Sequence, residues 1–483
     1  MNANDSLKRN VVAVDLGAES CRVSLASWEN GHGSIQTVHR FANGPMEHDG
    51  RLFWDIEKIL HGIEDGLGAC AKAASGKIDA IGIDGWAVDY VRLSADMQLL
   101  DNPFCYRDPR TWKRQLQLWE KLPAERIYAL TGIQMLTFNT IYQLYADRCD
   151  SLPPGNFWLN IPEYLLYRLG GRPVSEYSNG THTQMMEAGH RRWCREIFSA
   201  AGVDIATAPE IVPPGTIIGT LRGPLAQLPA FRATTLIAPS CHDTGSAVAG
   251  IPYEGEDWAF LSSGTWSLVG AVLPRVCATE AARKANFSNE GGLGGQVRFL
   301  RNVNGMWLLQ ECLRHWEETG TKWTIESLIA ECSSLPAPKH LLCVDDPGLL
   351  LPGNMPGRIN DVMASQGHAR LPEDEDKAPR FAKLIFHSLA VRYAEVLREL
   401  TAVTGKEFKR LYVVGGGSRN TYLNWLVGES TELEVVRGPA ESSTLGNVAI
   451  QFAVLDGATE PEWGVTPAAV SEWSRRLAPA LEN

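Results

Sequence analysis

The 483-residue chain has ten cysteines, yet its nearest pair, Cys332 and Cys343, is eleven positions apart, so no Cys-x-x-Cys unit exists for metal or redox work. Thiols scattered in this way are expected to be reduced and mostly buried. Positive charge is also short. Forty-five Lys plus Arg against 56 Asp plus Glu leave a net charge of -11, which excludes a broad electrostatic footprint for nucleic acid or an anionic membrane. No apolar run reaches the ~18 residues of a membrane span. The first residues lead straight into an alternating strand pattern, so a soluble, cytoplasmic protein is expected. Neither GxxxxGK[ST] nor GxGxxG occurs, and HExxH and the nucleophile elbow are missing as well.

What is present is an ordinary globular composition, 44% hydrophobic and 21% charged. Runs rich in Val and Ile end at glycine or at Asp-x-Gly, and helical patterns fill the spaces between them, which predicts an α/β chain. Val11–Trp28 and Trp258–Val272 both read as a strand, a tight polar turn and a second strand, about half a chain apart. Each is followed by another strand-to-glycine feature, at Gly82–Ala87 and at Gly415–Gly417. Two similar halves are therefore expected, residues 1–246 and 247–483, with a hinge in the small, proline-flanked segment Pro239–Pro252. The apolar spacing from Phe381 to Leu400 predicts a long helix stopped by Gly405.

The glycine turns are where chemistry is to be sought. Asp15-Leu16-Gly17-Ala18-Glu19-Ser20-Cys21-Arg22 offers successive backbone N–H groups, a hydroxyl, a cation and carboxylates, a set that suits a Mg-phosphate group. Ser262-Ser263-Gly264-Thr265 offers a second such turn, and Gly415–Gly417 leaves bare backbone against which a nucleoside can lie. Plain turn-forming serves each of these segments equally well as an explanation. Cys241-His242-Asp243-Thr244-Gly245 supplies a carboxylate, although His242 and Asp243 also suit a helix cap.

DLGAESCR, GIDGWAVDYV, YRDPR, TGIQMLTFNTIYQL, PSCHDTGSAV, LSSGTWSLVG, NVNGMWLLQ, VVGGGSRN and SSTLGN resemble, in this order, the FGGY carbohydrate kinases of the actin/hexokinase/Hsp70 ATPase superfamily. That resemblance implies two α/β domains of ribonuclease-H-like fold around a central cleft, and it implies ATP and Mg²⁺ as cofactors. Asp243 would be the catalytic base, and Ala87, His242, Thr244 and Asn302 would join it around the sugar. Ala18, Glu19, Ser20, Cys21 and Arg22 would line the phosphates, Thr265, Gln310 and Gly416 would meet the nucleotide, and Asp15 would serve the metal.

Within the family, YRDPR, TGIQMLTFNTIYQL, SCHDTGSA and NVNGMWLLQ are most similar to the members that phosphorylate the 1-hydroxyl of L-rhamnulose. L-Fuculose, L-ribulose and L-xylulose are the alternative sugars, and a catalytically silent sugar or ATP sensor is the alternative class. Cys21 and Ala87 stand where such members usually carry glycine. Cys21 raises the question whether a thiol beside the phosphate turn exposes the activity to alkylation. No nucleic-acid or membrane partner is expected, and without a long exposed apolar seam the expected state is a monomer.

Overall fold

A computed structural model describes residues 8–153, 155–373 and 377–481. The chain forms two compact units. One comprises residues up to Tyr253, Val272–Phe299 and residues from Glu441 onward; the other comprises Glu254–Ala271 and Leu300–Ala440. Among the described residues, no helix is long and apolar enough to cross a membrane.

The first unit is built on a six-stranded sheet in the order Thr216–Thr220, Thr235–Ala238, Ala80–Gly85, Arg9–Leu16, Ser20–Glu29, His32–Ala42. Arg9–Leu16 runs antiparallel to Ser20–Glu29, as the hairpin pattern predicts, and parallel to Ala80–Gly85. Its unbroken apolar run follows from burial of both faces, where no polar alternation is called for. Val12, Val14 and Leu16 share a core with the helix Ile56–Ala73, while Val11 and Ala13 pack with the helix Ser442–Leu455. The first helix is capped by Asp55, whose carboxylate accepts the Lys58 N–H at 3.0 Å.

In the second unit, Trp258–Ser263 runs antiparallel to Trp266–Leu273 and parallel to Arg410–Val414, which in turn parallels Glu434–Arg437. The hairpin-then-parallel-strand plan of the first sheet is thus repeated. The predicted long helix is Ala378–Thr404, and Gly405 ends it in the left-handed conformation at φ 68°.

Packing differs from two expectations. Pro239–Pro252 is not an open hinge, because Asp243–Ala249 within it is a helix whose small residues are buried against Ser442–Leu455. The packing units also differ from the sequence halves 1–246 and 247–483, since Val272–Phe299 and residues from Glu441 onward group with the first unit. The physical reason is the second face of the first sheet, which the helix Ser442–Leu455 covers.

Candidate active site

Three carboxylates meet at strand ends of the first unit. Asp15 and Asp84 are register partners on adjacent parallel strands. The Gly85 N–H donates to the Cys241 carbonyl at 3.0 Å, which brings the segment before Asp243 alongside them. Each carboxylate has one oxygen engaged. Asp15 Oδ2 accepts from Arg22 at 2.8 Å and from the Ser443 hydroxyl. Asp84 Oδ2 accepts from Asn447 Nδ2 at 2.6 Å, and its buried Oδ1 has no hydrogen-bond partner. Asp243 Oδ1 accepts from the Thr244 N–H and, at 3.1 Å, from the Thr244 hydroxyl.

The electrostatics follow from this crowding. Burial, with the neighbouring Asp15 charge, pushes the Asp243 carboxyl up to about 7. Burial and Asp15 also push Asp84 well above the ordinary carboxylate range. A base poised near neutrality with one oxygen free is suited to taking a proton from a hydroxyl.

The turn through Ala18 and Glu19 joins the first strand to Ser20–Glu29, which carries Ser20, Cys21 and Arg22. The Gly17 N–H donates to the Ser20 carbonyl at 3.2 Å, and a Cβ on Gly17 would stand 2.6 Å from that oxygen. Ala18 and Ser20 are half-buried and Glu19 is exposed. Cys21 is buried, and burial together with Asp15 pushes its thiol up to about 12, so it is not the reactive thiol that its position suggested. Arg22 is engaged by both Asp15 and Glu441. Its charge holds carboxylates in place rather than standing free for phosphate.

His242 and Thr244 flank Asp243 and are buried. Their segment is tied down by Glu176, which accepts the Cys241 N–H at 2.8 Å, and by the Ser178 hydroxyl, which accepts the His242 N–H at 3.1 Å. Ala87 is buried one residue before Val88, whose φ of 68° is unusual for a β-branched residue. Trp86 packs on Trp54 in the core, with its indole N–H donating to Asp89 at 3.1 Å.

The second unit holds the remaining candidates. The Thr265 carbonyl accepts the Trp307 N–H at 3.1 Å, joining its turn to the helix Trp307–Glu318 that carries Gln310. Gln310 Oε1 is buried without a hydrogen-bond partner. A Cβ on Gly417 would collide with the Ser263 side chain, whereas one on Gly416 would meet nothing. Gly417 is therefore required by packing, and Gly416 faces open space. Asn302 is half-buried on the strand Val297–Asn304.

Sequence reasoning assigned no role to Asp84, Asn447, Ser443, Glu441, Glu176 or Arg298. Asp84 had a usable signal, because Asp84-Gly85 ends a buried strand much as Asp15-Leu16-Gly17 does, and Ser443 and Asn447 lie in the SSTLGN motif. The others act through contacts more than fifty residues away in sequence, or from strands with no motif of their own.

Residues 10–250 match the N-terminal domain, and residues 259–455 the C-terminal domain, of the FGGY family of carbohydrate kinases. A rhamnulokinase of Bacteroides thetaiotaomicron is 36% identical over 457 residues, covering 94% of this chain and 92% of that one. A rhamnulokinase of Enterococcus faecalis is 38% identical over 452 residues, covering 92% and 89%. Among solved structures, a ligand-bound xylulose kinase from Lactobacillus acidophilus superposes with TM-score 0.76 at 14% identity over 98% of this chain and 97% of that one. Plasmodium falciparum glycerol kinase with ADP gives TM-score 0.72 at 12% identity over 97% and 93%. At such identities these structures speak for the fold alone.

Proposed function

Since the chain belongs to the FGGY family of carbohydrate kinases, we propose that it transfers the γ-phosphoryl group of ATP to the 1-hydroxyl of L-rhamnulose, giving L-rhamnulose 1-phosphate and ADP. The sugar assignment is supported by the near-full-length similarity to two rhamnulokinases. The chemical assignment is carried by one observation: Asp243 is half-buried, raised to about 7, and has Oδ1 engaged while Oδ2 is left for a proton.

A sugar hydroxyl is a weak nucleophile at neutral pH. Asp243 Oδ2 accepts its proton as the oxygen closes on the γ-phosphorus, a contribution worth ~10²- to 10⁴-fold in rate. His242, Thr244, Ala87 and Asn302 are assigned to the sugar. The backbone of Ala18, Glu19, Ser20 and Cys21 is assigned to the phosphates, while Thr265, Gln310 and Gly416 are assigned to the nucleotide. The buried Gln310 Oε1 without a partner and the open face of Gly416 support the last assignment. Arg22 contributes by orienting Asp15.

The residues present fit a divalent cation. Asp84 Oδ1 is buried and unpartnered beside Asp15, whose Oδ2 alone is engaged. Asp15 and Asp84 would hold Mg²⁺, which when bound neutralises charge on the β- and γ-phosphates.

ATP consumption measured over L-rhamnulose, L-fuculose, L-ribulose and L-xylulose, with and without Mg²⁺, tests this reading. The expected result is Mg-dependent turnover with the highest kcat/KM for L-rhamnulose. A higher value for another ketose reassigns the substrate, and no turnover with any sugar overturns the kinase reading in favour of a sensor.

A further inference from the structure

Behind His242 lies a buried polar cluster that the proposed chemistry leaves unused. His182 ends the helix Tyr177–His182, Glu290 sits on the strand Ser288–Gly291, and Arg298 is on the next strand, all within the first unit. Potential ligand atoms of His182, His242 and Glu290 lie within 4.8 Å of one another, a spacing compatible with a metal. A guanidinium already supplies the positive charge there. Arg298 Nη1 is 3.1 Å from Glu290 Oε2, and Arg298 Nη2 is 3.2 Å from His242 Nδ1. Two charges buried together are retained only when they are paired, and Arg298 is the charge that pairs with Glu290, although neither Glu290 oxygen accepts a hydrogen bond.

The contact at Nδ1 has a consequence for the proton on the ring. A guanidinium has five donors and no acceptor, so a hydrogen bond from it at 3.2 Å needs Nδ1 as a bare acceptor. The ring proton then sits on Nε2, which is 3.5 Å from Asp243 Oδ1, the oxygen already engaged by Thr244. Glu290 Oε2 lies 3.4 Å from the same Nδ1 and is the competing acceptor. If Arg298 were lost, Nδ1–H would turn to Glu290 and a bare Nε2 would face the Asp243 carboxylate, lone pair against lone pair. Burial, reinforced by Arg298 and opposed by Glu290, lowers His242 to about 4. The ring is therefore neutral near pH 7, and its tautomer is a real variable.

We propose that Arg298 is a positioning residue: it fixes His242 as the Nε2–H tautomer, so that a proton and not a lone pair stands 3.5 Å from Asp243 Oδ1, and Oδ2 is the oxygen left to receive the substrate proton. This rests on the reading of Asp243 as base. Glu290 serves the arrangement by neutralising Arg298, and His182 Nε2 lies 3.4 Å from its other oxygen, Oε1. The signal was absent from the sequence, because Arg298 is 56 residues from His242 in a strand with no motif.

Long-range proton–nitrogen spectra of protein labelled with ¹⁵N-histidine read the tautomer directly, with His242 identified by the signal lost in His242→Asn. The wild type is expected to show a protonated Nε2 and a bare Nδ1. Arg298→Met is expected to move the proton to Nδ1 and to lower kcat by about tenfold, less than the ~10²- to 10⁴-fold worth of the base itself, with KM for ATP within about twofold. Arg298→Gln, which keeps an N–H donor, should recover the Nε2–H signal and part of kcat. If Arg298→Met does not fold, the wild-type spectrum decides, because a ring protonated on Nδ1 there already overturns the assignment. A wild-type ring protonated on Nδ1, or a tautomer indifferent to Arg298, overturns the proposal. The spectra are read whether or not the enzyme turns over, so full activity of Asp243→Asn would remove the base reading while leaving the tautomer result to stand or fall alone.

Discussion

Gly446 packs directly on the backbone of Ser246: a Cβ built at Gly446 would overlap the Ser246 carbonyl oxygen, with the Gly250 N–H only 2.7 Å away. The helices Asp243–Ala249 and Ser442–Leu455 touch through their main chains at this point. The turn that precedes Asp243 is thereby held against the first sheet. Gly446→Ala is expected to destabilise the protein by about 1–3 kcal/mol, the usual range for overpacking where neither neighbour can move aside. A thermal melt checks this, and an unchanged Tm would show that the helices part without cost.

Asp243→Asn keeps the shape of the side chain and removes its capacity to take a proton. Turnover should fall ~10²- to 10⁴-fold while ATP binding, followed by calorimetry, stays near the wild-type value. Near-normal kcat would take Asp243 out of the base role.

Because burial and the Asp15 charge raise Asp243 to about 7, the carboxylate is partly protonated just below neutrality. The base works only when ionised, so kcat/KM should rise as pH increases towards and through about 7 and then level off. A bound cation favours the ionised form and can only move the midpoint downwards. A rate that falls with rising pH over this range would contradict the assignment. In Asp243→Asn the acid limb should vanish from the residual rate.

Glu163 and Glu176 are fully buried. Burial and the Glu176 charge push Glu163 up to about 8, and burial pushes Glu176 to about 7. The folded state thus keeps protons that the unfolded chain has already released, so these groups, like Asp243, favour folding at low pH and lose that contribution as pH rises through about 7 to 8. His242, lowered to about 4, works in the opposite direction, but only below its unfolded value of 6.5. Between about pH 6.5 and 8 Tm should therefore fall, and the fall should be smaller in Glu163→Gln. Equal slopes in both proteins would show that Glu163 does not carry the effect.

Cys21 is buried with its thiol pushed up to about 12, whereas Cys149 and Cys343 are exposed. Iodoacetamide at neutral pH should label Cys149 and Cys343 while leaving Cys21 unmodified and the kinase rate unchanged, with mass spectrometry locating the adducts. Loss of activity in step with labelling of Cys21, protected by Mg-ATP, would reverse this conclusion.

Local patterns carried the secondary structure because strands and helices are stabilised by neighbours in sequence. The hairpin Val11–Trp28, the helix ended by Gly405 and the turn after Asp15 were legible from periodicity and glycine placement. The ordered motifs carried the family, and Cys241-His242-Asp243-Thr244-Gly245 offered Asp243 as the candidate base. Other features were decided only by the tertiary structure, because they depend on groups distant in sequence sharing one desolvated volume. Folding brings Ser443 to Asp15, Asn447 to Asp84 and Arg298 to His242, and leaves each of the three carboxylates with one oxygen engaged. Sequence also could not foresee that the scarce positive charge would be spoken for. Arg22 and Arg298 are bound to carboxylates of their own unit, because a buried cation without a partner would be too costly to keep.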